Sequence, residues 1–433
     1  MMEAAQRLEH FGEALVSLAL DECTAPQPFY RAAFLNFLGA MRSGSHDPGV
    51  EAFVLSRAAL APGTHVPVGR GDGLTLPDYV MATCFASSVQ AFDDIHFATT
   101  THPSGPVVSA LLGVAELTDV SMVDAAEALA LGMEVECRLA LTLFSAGTGS
   151  ASGWYTTGIA GGVGAAAAAG RLLGLGPKAM ASALGWAAAM ASGVRGTHGS
   201  AAGTFVPALA ARAGLEAALL ARDGLSCGLG ALTGPNGLVR QVAPEPALGE
   251  ASVGLGTDWV SLQTSVKPYP FGFVAFAAVD AACALDLGGG SKRLDVFVSP
   301  RAEQLGGNAR PSDANEAIVS IPFLVARTLA DPRSVQVPVP PKFSVAPEVK
   351  DLMDRIELHA DPSLSDGAAR IVVDGGARSA SCDAARGTAG HELTVGETID
   401  KFRAICGLED PEPVLDAVMG GAASLGHVIA LMR

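Results

Sequence analysis

The chain has 433 residues, 49% of them apolar and only 6% aromatic, so its bulk comes from Ala, Leu and Val, with ample material for a large core in two or three domains. With 28 basic against 44 acidic residues the net charge is -16, which disfavours nucleic acid and anionic membrane as partners and leaves room for a small anionic substrate held by a few local cations. The seven cysteines are odd in number and scattered, which excludes a disulfide framework and a local zinc or iron-sulfur ligand set.

Residues 1–60 show helical spacing, as in Phe11, Leu15 and Leu18 and then Phe34, Phe37, Leu38 and Met41, with loop signals at Pro26, Pro28 and residues 44–48. The first residues are acidic where a secretory signal would be basic, and the expected location is the reducing cytoplasm. After a Gly-rich turn, Leu76-Pro77-Asp78 reads as a helix start, and the apolar run 79–92 predicts a helix that delivers Asp93 and Asp94 at its C-terminus. There the helix dipole would raise their pKa, a useful bias for a general acid or base.

The stretch 92–105 then gathers two adjacent carboxylates, two imidazoles (His96 and His102) and three Thr hydroxyls in a chain with only 9 His. That is an inventory for proton transfer. The same residue types could ligate a metal through Asp93, Asp94, His96 and His102, but no helical His-x-x-x-His spacing supports it and no metal is expected.

His102-Pro103-Ser104-Gly105-Pro106 forces a turn before a helix over 107–117. Residues 119–142 read as an amphipathic helix in which Glu134 and Arg138, four apart, pair on one face. No charge occurs between Arg138 and Arg171, nor over 179–194, lengths that raise the question of a membrane span. The break at 147–153 and the lack of an aromatic belt or basic flank point instead to core helices over 158–170 and 177–192.

The first turn after Trp154 offers free N–H groups and the hydroxyl of Thr156 to a carboxylate. Glycines 158, 161, 162 and 164 do not match a dinucleotide fingerprint, and close helix packing is their expected use. Arg195 and His198 are isolated polar heads in uncharged surroundings, either substrate contacts or groups with structural partners. A helix is expected from Pro207 to Gly224.

At residues 265–270 the character changes to Pro-rich sequence with strand-like runs at 294–298, 334–339, 355–359 and 369–373. The expected division is a helical domain from 1–267 plus 391–433, with helices at 397–406 and 414–432, and a smaller α+β domain over 268–390.

Several motifs taken together resemble the MmgE/PrpD family, which includes 2-methylcitrate dehydratase and cis-aconitate decarboxylase. They are Asp93-Asp94 with His102-Pro103-Ser104-Gly105, Gly153-Trp154, Leu172-Leu173-Gly174-Leu175, Ser192-Gly193-Val194-Arg195, Gly234-Pro235-Asn236-Gly237, Lys267-Pro268-Tyr269-Pro270 and Lys401-Phe402. The resemblance implies a mainly α fold: a large all-helical domain built from both chain ends with an inserted α+β lid, usually a homodimer, acting without a cofactor. Residue by residue, Asp93, His102 and Lys267 match polar positions of the family's pocket.

Other positions depart from the pattern. Tyr155 stands for the His of Gly-Trp-His, Gly203 and Val206 for the Lys and His of Thr-Lys-x-x-His-Ala-Gly, and Phe276 for a His nine residues after Lys267. Such a pocket is less suited to a tricarboxylate, whose charges each need a partner.

The expected catalytic residues are therefore Asp93, His102, Tyr155 and Lys267, with Thr156, Arg195, His198, Val206, Tyr269 and Phe276 binding a small carboxylic or carbonyl substrate. Dehydration, double-bond migration, epimerisation and cyclisation, as in a biosynthetic pathway, share the same proton abstraction. The alternatives are a protein that has lost catalysis and binds or scaffolds on this fold, and the family's own dehydratase or decarboxylase activity.

Overall fold

Helix Met122–Phe144 is the axis of the molecule: every residue from Ala128 to Phe144 is buried. The structure, a computed structural model, describes residues 2–144, 153–285, 287 and 293–433, and it is mainly helical with small sheets. The amphipathic reading holds only for the start of this helix, where Val123 and Asp124 are exposed, and fails from Ala128 onward, where neighbours cover every residue. Among them Thr156–Leu172 is buried from Thr156 to Gly170, and Ala201–Arg222 packs on that helix in turn. Most of the expected break at 147–153 lies outside the described residues.

Small residues set these spacings. A Cβ on Gly132 would stand 2.8 Å from the carbonyl oxygen of Gly164, and one on Gly214 would stand 2.4 Å from the Ala165 Cβ and 2.7 Å from the Gly162 carbonyl oxygen. Helix backbones approach that closely only where side chains are absent. Gly214→Leu is expected to cost about 1–3 kcal/mol by overpacking, read as a lower urea midpoint; an unchanged midpoint would show that the two helices are not in contact. Ala201–Arg222 is long and apolar enough to cross a membrane, and 61% of its most apolar window is buried inside the molecule.

Two buried clusters organise the rest. One runs from Leu8 to Trp259 and takes in Phe402 to Met432. The other is built from Tyr269 to Ala385 and includes Ala91. It surrounds a four-stranded sheet in the order Ile356–Ala360, Leu294–Val298, Ala369–Val373, Arg378–Cys382, with the first pair parallel and the others antiparallel.

Several local expectations change. The helix Leu76–Ser88 stops before the carboxylates, Ala91 turns through the left-handed region (φ 55), and Asp94 opens a strand. The helix C-terminus expected at Asp93 and Asp94 is therefore not there, and Asp94 accepts instead from Ser104 N–H at the start of helix Ser104–Ala115. Pro207 lies inside Ala201–Arg222, residues 332–336 form a 3-10 helix where a strand is expected, and the strand Arg378–Cys382 goes unforeseen. The last expected helix is two, Glu412–Gly420 and Leu425–Met432, because Gly421 turns left-handed (φ 74) and Ser424 caps the second.

Candidate active site

Two strands too short to be legible in the sequence carry the site. Asp94–His96 pairs antiparallel with Thr264–Val266, with Asp94 opposite Val266 and His96 opposite Thr264. One step beyond this ladder Asp93 meets Lys267. The Lys267 backbone N–H donates to the Asp93 carbonyl at 3.1 Å, and its Nζ lies 2.5 Å from Asp93 Oδ1.

His102 completes the group: its Nδ1 is 2.6 Å from the Asp94 carbonyl oxygen and 3.1 Å from Asp93 Oδ2. A carbonyl oxygen only accepts, so Nδ1 carries the proton and Nε2 keeps the lone pair.

The turn between His96 and His102 is tightly held. His96 N–H donates to the Thr101 carbonyl (2.9 Å) and Thr100 N–H to the His96 carbonyl (2.7 Å). Thr100 sits at φ 56, which is uncommon for a β-branched residue and persists only where surroundings over-determine it. Those surroundings include the first turn of Thr156–Leu172, where Thr156 Oγ1 donates to the Thr100 carbonyl (2.8 Å) and Thr157 Oγ1 accepts from His102 N–H (2.9 Å). The expected carboxylate site at this helix start is thus a clamp on the turn from His96 to His102.

Burial, aided by the Lys267 charge, pushes His102 down to about 4, so the ring is neutral at pH 7. Burial and the neighbouring Asp93 charge push Asp94 up to about 7, while its carboxylate accepts from Ser104 N–H at 3.2 Å. Burial also raises the Tyr155 phenol and, with Arg195, lowers His198. Nitrogen-detected titration of the histidines is expected to show His102 as the neutral Nδ1–H tautomer with a midpoint near 4. A midpoint at the ordinary 6.5 would remove this assignment.

Asp93, His102, Tyr155, Lys267, Arg195 and His198 all line one cavity of about 100 Å³. Its opposite wall comes from the second cluster, with Phe273, Val274, Ile318 and the polar Asn315. Tyr155 and Arg195 meet there because Trp154 bridges Val194: Tyr155 N–H donates to the Gly193 carbonyl and Arg195 N–H to the Gly153 carbonyl. Nε of Arg195 is buried and has no hydrogen-bond partner among the described residues. Gly203, at the position where the resemblance calls for a lysine, also lines the cavity, and a Cβ there would stand 2.8 Å from the Thr197 carbonyl oxygen, so the glycine serves a close backbone approach.

Four expected substrate contacts lie outside it. Thr156 is fully buried behind Thr100. Val206 packs on Gly158 and Gly193, Tyr269 donates its hydroxyl to Asp280 (2.6 Å) while stacking on Phe271, and Phe276 is fully buried against both rings. Large apolar side chains at 206 and 276 are drawn into the core, which is the stable place for them.

The alternative metal set does not converge either, since His96 Nδ1 turns to Thr99 Oγ1 (2.8 Å) and Asp94 to Ser104. Asp295, Glu357 and His359 do converge, on the four-stranded sheet, but Arg293 already pairs with both carboxylates. Nothing in the sequence singles out Thr157 or Asn315, and Thr100 stands out only as one of three threonines in the stretch 92–105, because their roles depend on contacts distant in the chain.

Comparison with known proteins identifies the family. The MmgE/PrpD N-terminal domain matches residues 19–251 and the MmgE/PrpD C-terminal domain matches residues 269–412. The "Cis-aconitate decarboxylase-like protein oryM" of Aspergillus oryzae is 34% identical over 202 residues, 42% of this chain and 41% of that protein. The match thus spans less than half of that relative's length. With the N-terminal domain alone accounting for more than half of the sequence, the chain belongs to the MmgE/PrpD family.

Proposed function

We propose that the chain is a lyase or isomerase that removes the proton next to a carboxylate or carbonyl of a small acid carrying less charge than a tricarboxylate. The observation that carries this reading is the fixed tautomer of His102, with Nδ1–H tied to Asp94 and Asp93 and Nε2 left with its lone pair beside a cavity. Nε2 takes the α-proton, and the electron pair moves to the carbonyl or carboxylate oxygen as an enolate. Lys267, held by Asp93, stabilises that oxygen, Asp93 offsets the imidazolium charge, and Tyr155 returns a proton to carbon or to a leaving group.

Charge selects the substrate. Asp93 and Lys267 cancel, both histidines are neutral, and Arg195 leaves one positive charge in the wall. A single carboxylate matches it. A tricarboxylate would leave two charges unpaired in a largely apolar cavity, at considerable desolvation cost. The relative's printed name is that of a lyase-type protein, which supports the reaction class. A binding or scaffold role is disfavoured because Asp93 and His102 both face the cavity.

Both clusters contribute walls, so the same reading has the unit 268–390 act as a lid. The test is incubation in deuterium oxide with a panel of mono-, di- and tricarboxylic acids, following α-proton loss by NMR. Exchange with a monocarboxylic acid is expected. If no member exchanges or turns over while monocarboxylates bind the cavity in crystals, the proton-transfer reading is wrong.

A further inference from the structure

Lys401 lies outside the cavity, on helix Val395–Ile405, yet its ammonium ends at the root of the site. The helix start is fixed by a capping box in which Thr394 and Glu397 satisfy each other's backbone N–H. It then packs closely on Gln27–Gly44, because Gly39 has no side chain: a Cβ there would stand 3.1 Å from both Phe402 and Ile405. Fully buried Phe402 locks the register. On the same face of Gln27–Gly44, one turn before Gly39, lies Asn36.

Nζ of Lys401 donates to three oxygens: Asn36 Oδ1 at 2.7 Å, the Phe92 carbonyl at 2.6 Å and the Lys267 carbonyl at 2.7 Å. Three acceptors use all three N–H bonds of an ammonium. Asn36 reinforces the point by donating its own Nδ2–H to the Phe92 carbonyl at 3.2 Å, and the Phe92 ring lies 5.0 Å from Nζ.

Phe92 precedes Asp93, and Lys267 is the partner of Asp93. Two carbonyl oxygens from opposite strands therefore converge just beyond the end of the Asp94–Val266 ladder. Like dipoles brought together in a poorly solvated place repel unless a cation sits between them.

We infer that Lys401 is a positioning residue for the proton-transfer centre, holding the Phe92 and Lys267 carbonyls together so that Lys267, Asp93 and His102 keep their register. This rests on the reading of those three residues as the reactive group. The test needs no substrate, so the two claims fail separately: absence of proton exchange by the wild-type chain would defeat the functional reading and leave this result as measured.

The experiment is long-range proton–nitrogen NMR of the histidine side chains in the full chain, comparing wild type with Lys401→Met and Lys401→Arg. His65, which pairs with Glu116 elsewhere, is the internal reference. In Lys401→Met a second, Nε2–H tautomer of His102 is expected, with its titration midpoint raised by about one unit and His65 unchanged. Lys401→Arg should recover the wild-type tautomer. A merely structural lysine would lower the melting temperature without moving the tautomer. Wild-type His102 signals in folded Lys401→Met would overturn the inference. If that variant does not fold, Lys401→Gln, which keeps amide donors, is read by the same two outcomes.

Discussion

Replacing His102 by asparagine is expected to slow α-proton exchange by about 10²–10⁴-fold, the usual contribution of a positioned general base. Asparagine can still donate to the Asp94 carbonyl, so the turn from His96 to His102 keeps its anchor, but it has no nitrogen lone pair to accept a proton. The loss should fall on kcat, with binding of the acid at Arg195 little changed. Asparagine in place of His65, whose partner is Glu116, provides the control and should have no effect.

The pH profile follows from the same geometry. A base works unprotonated, and burial with the Lys267 charge holds His102 down to about 4. Activity should therefore persist through pH 5 to 8 and fall only as the pH drops through about 4. A loss centred at 6.5 together with a His102 midpoint at the same pH would identify a solvated histidine and sink the assignment.

The second large effect is on stability. Arg138→Met is expected to cost about 3–5 kcal/mol, the usual result of removing one partner from a buried ion pair. Arg138 and Glu134 are both fully buried, with Arg138 Nε 2.7 Å from Glu134 Oε1. Arg138 also donates to the carbonyls of Ala251, Val253, Gly254 and Asp258, while Glu134 accepts from the N–H groups of Val260 and Ser261 and from the Ser261 hydroxyl. Tyr30 contacts that hydroxyl in turn at 2.8 Å.

The pair thus clamps the stretch from Ala251 to Ser261, immediately before Thr264–Val266 and Lys267. Urea unfolding would measure the cost, and the histidine spectrum of the surviving folded fraction would show whether the His102 environment loosens with it. A change below about 1 kcal/mol, the range of exposed pairs, would mean that the loop is held by something else.

Helix positions, the change of character near Lys267 and the Glu134–Arg138 pairing were legible in the sequence, because each depends on residues within a few turns of one another. The resemblance marked Asp93, His102 and Lys267, which line the cavity, and the uncharged surroundings of Arg195 and His198 marked those two, which join them there.

What the sequence could not decide was anything set by a partner far along the chain. Three-residue strands have no periodicity to detect, yet the pairing of Asp94–His96 with Thr264–Val266 is what sets Lys267 against Asp93 across 174 positions. The bridge from Trp154 to Val194 likewise brings Tyr155 beside Arg195.

Tertiary packing also decided which expected contacts were absorbed elsewhere. Phe276 and Val206 entered the core because apolar area is more stable away from water, Tyr269 turned to Asp280, and Thr156 was taken up in holding Thr100. Local sequence determined which groups could do the chemistry, and long-range packing, through register and burial, determined which of them share a cavity.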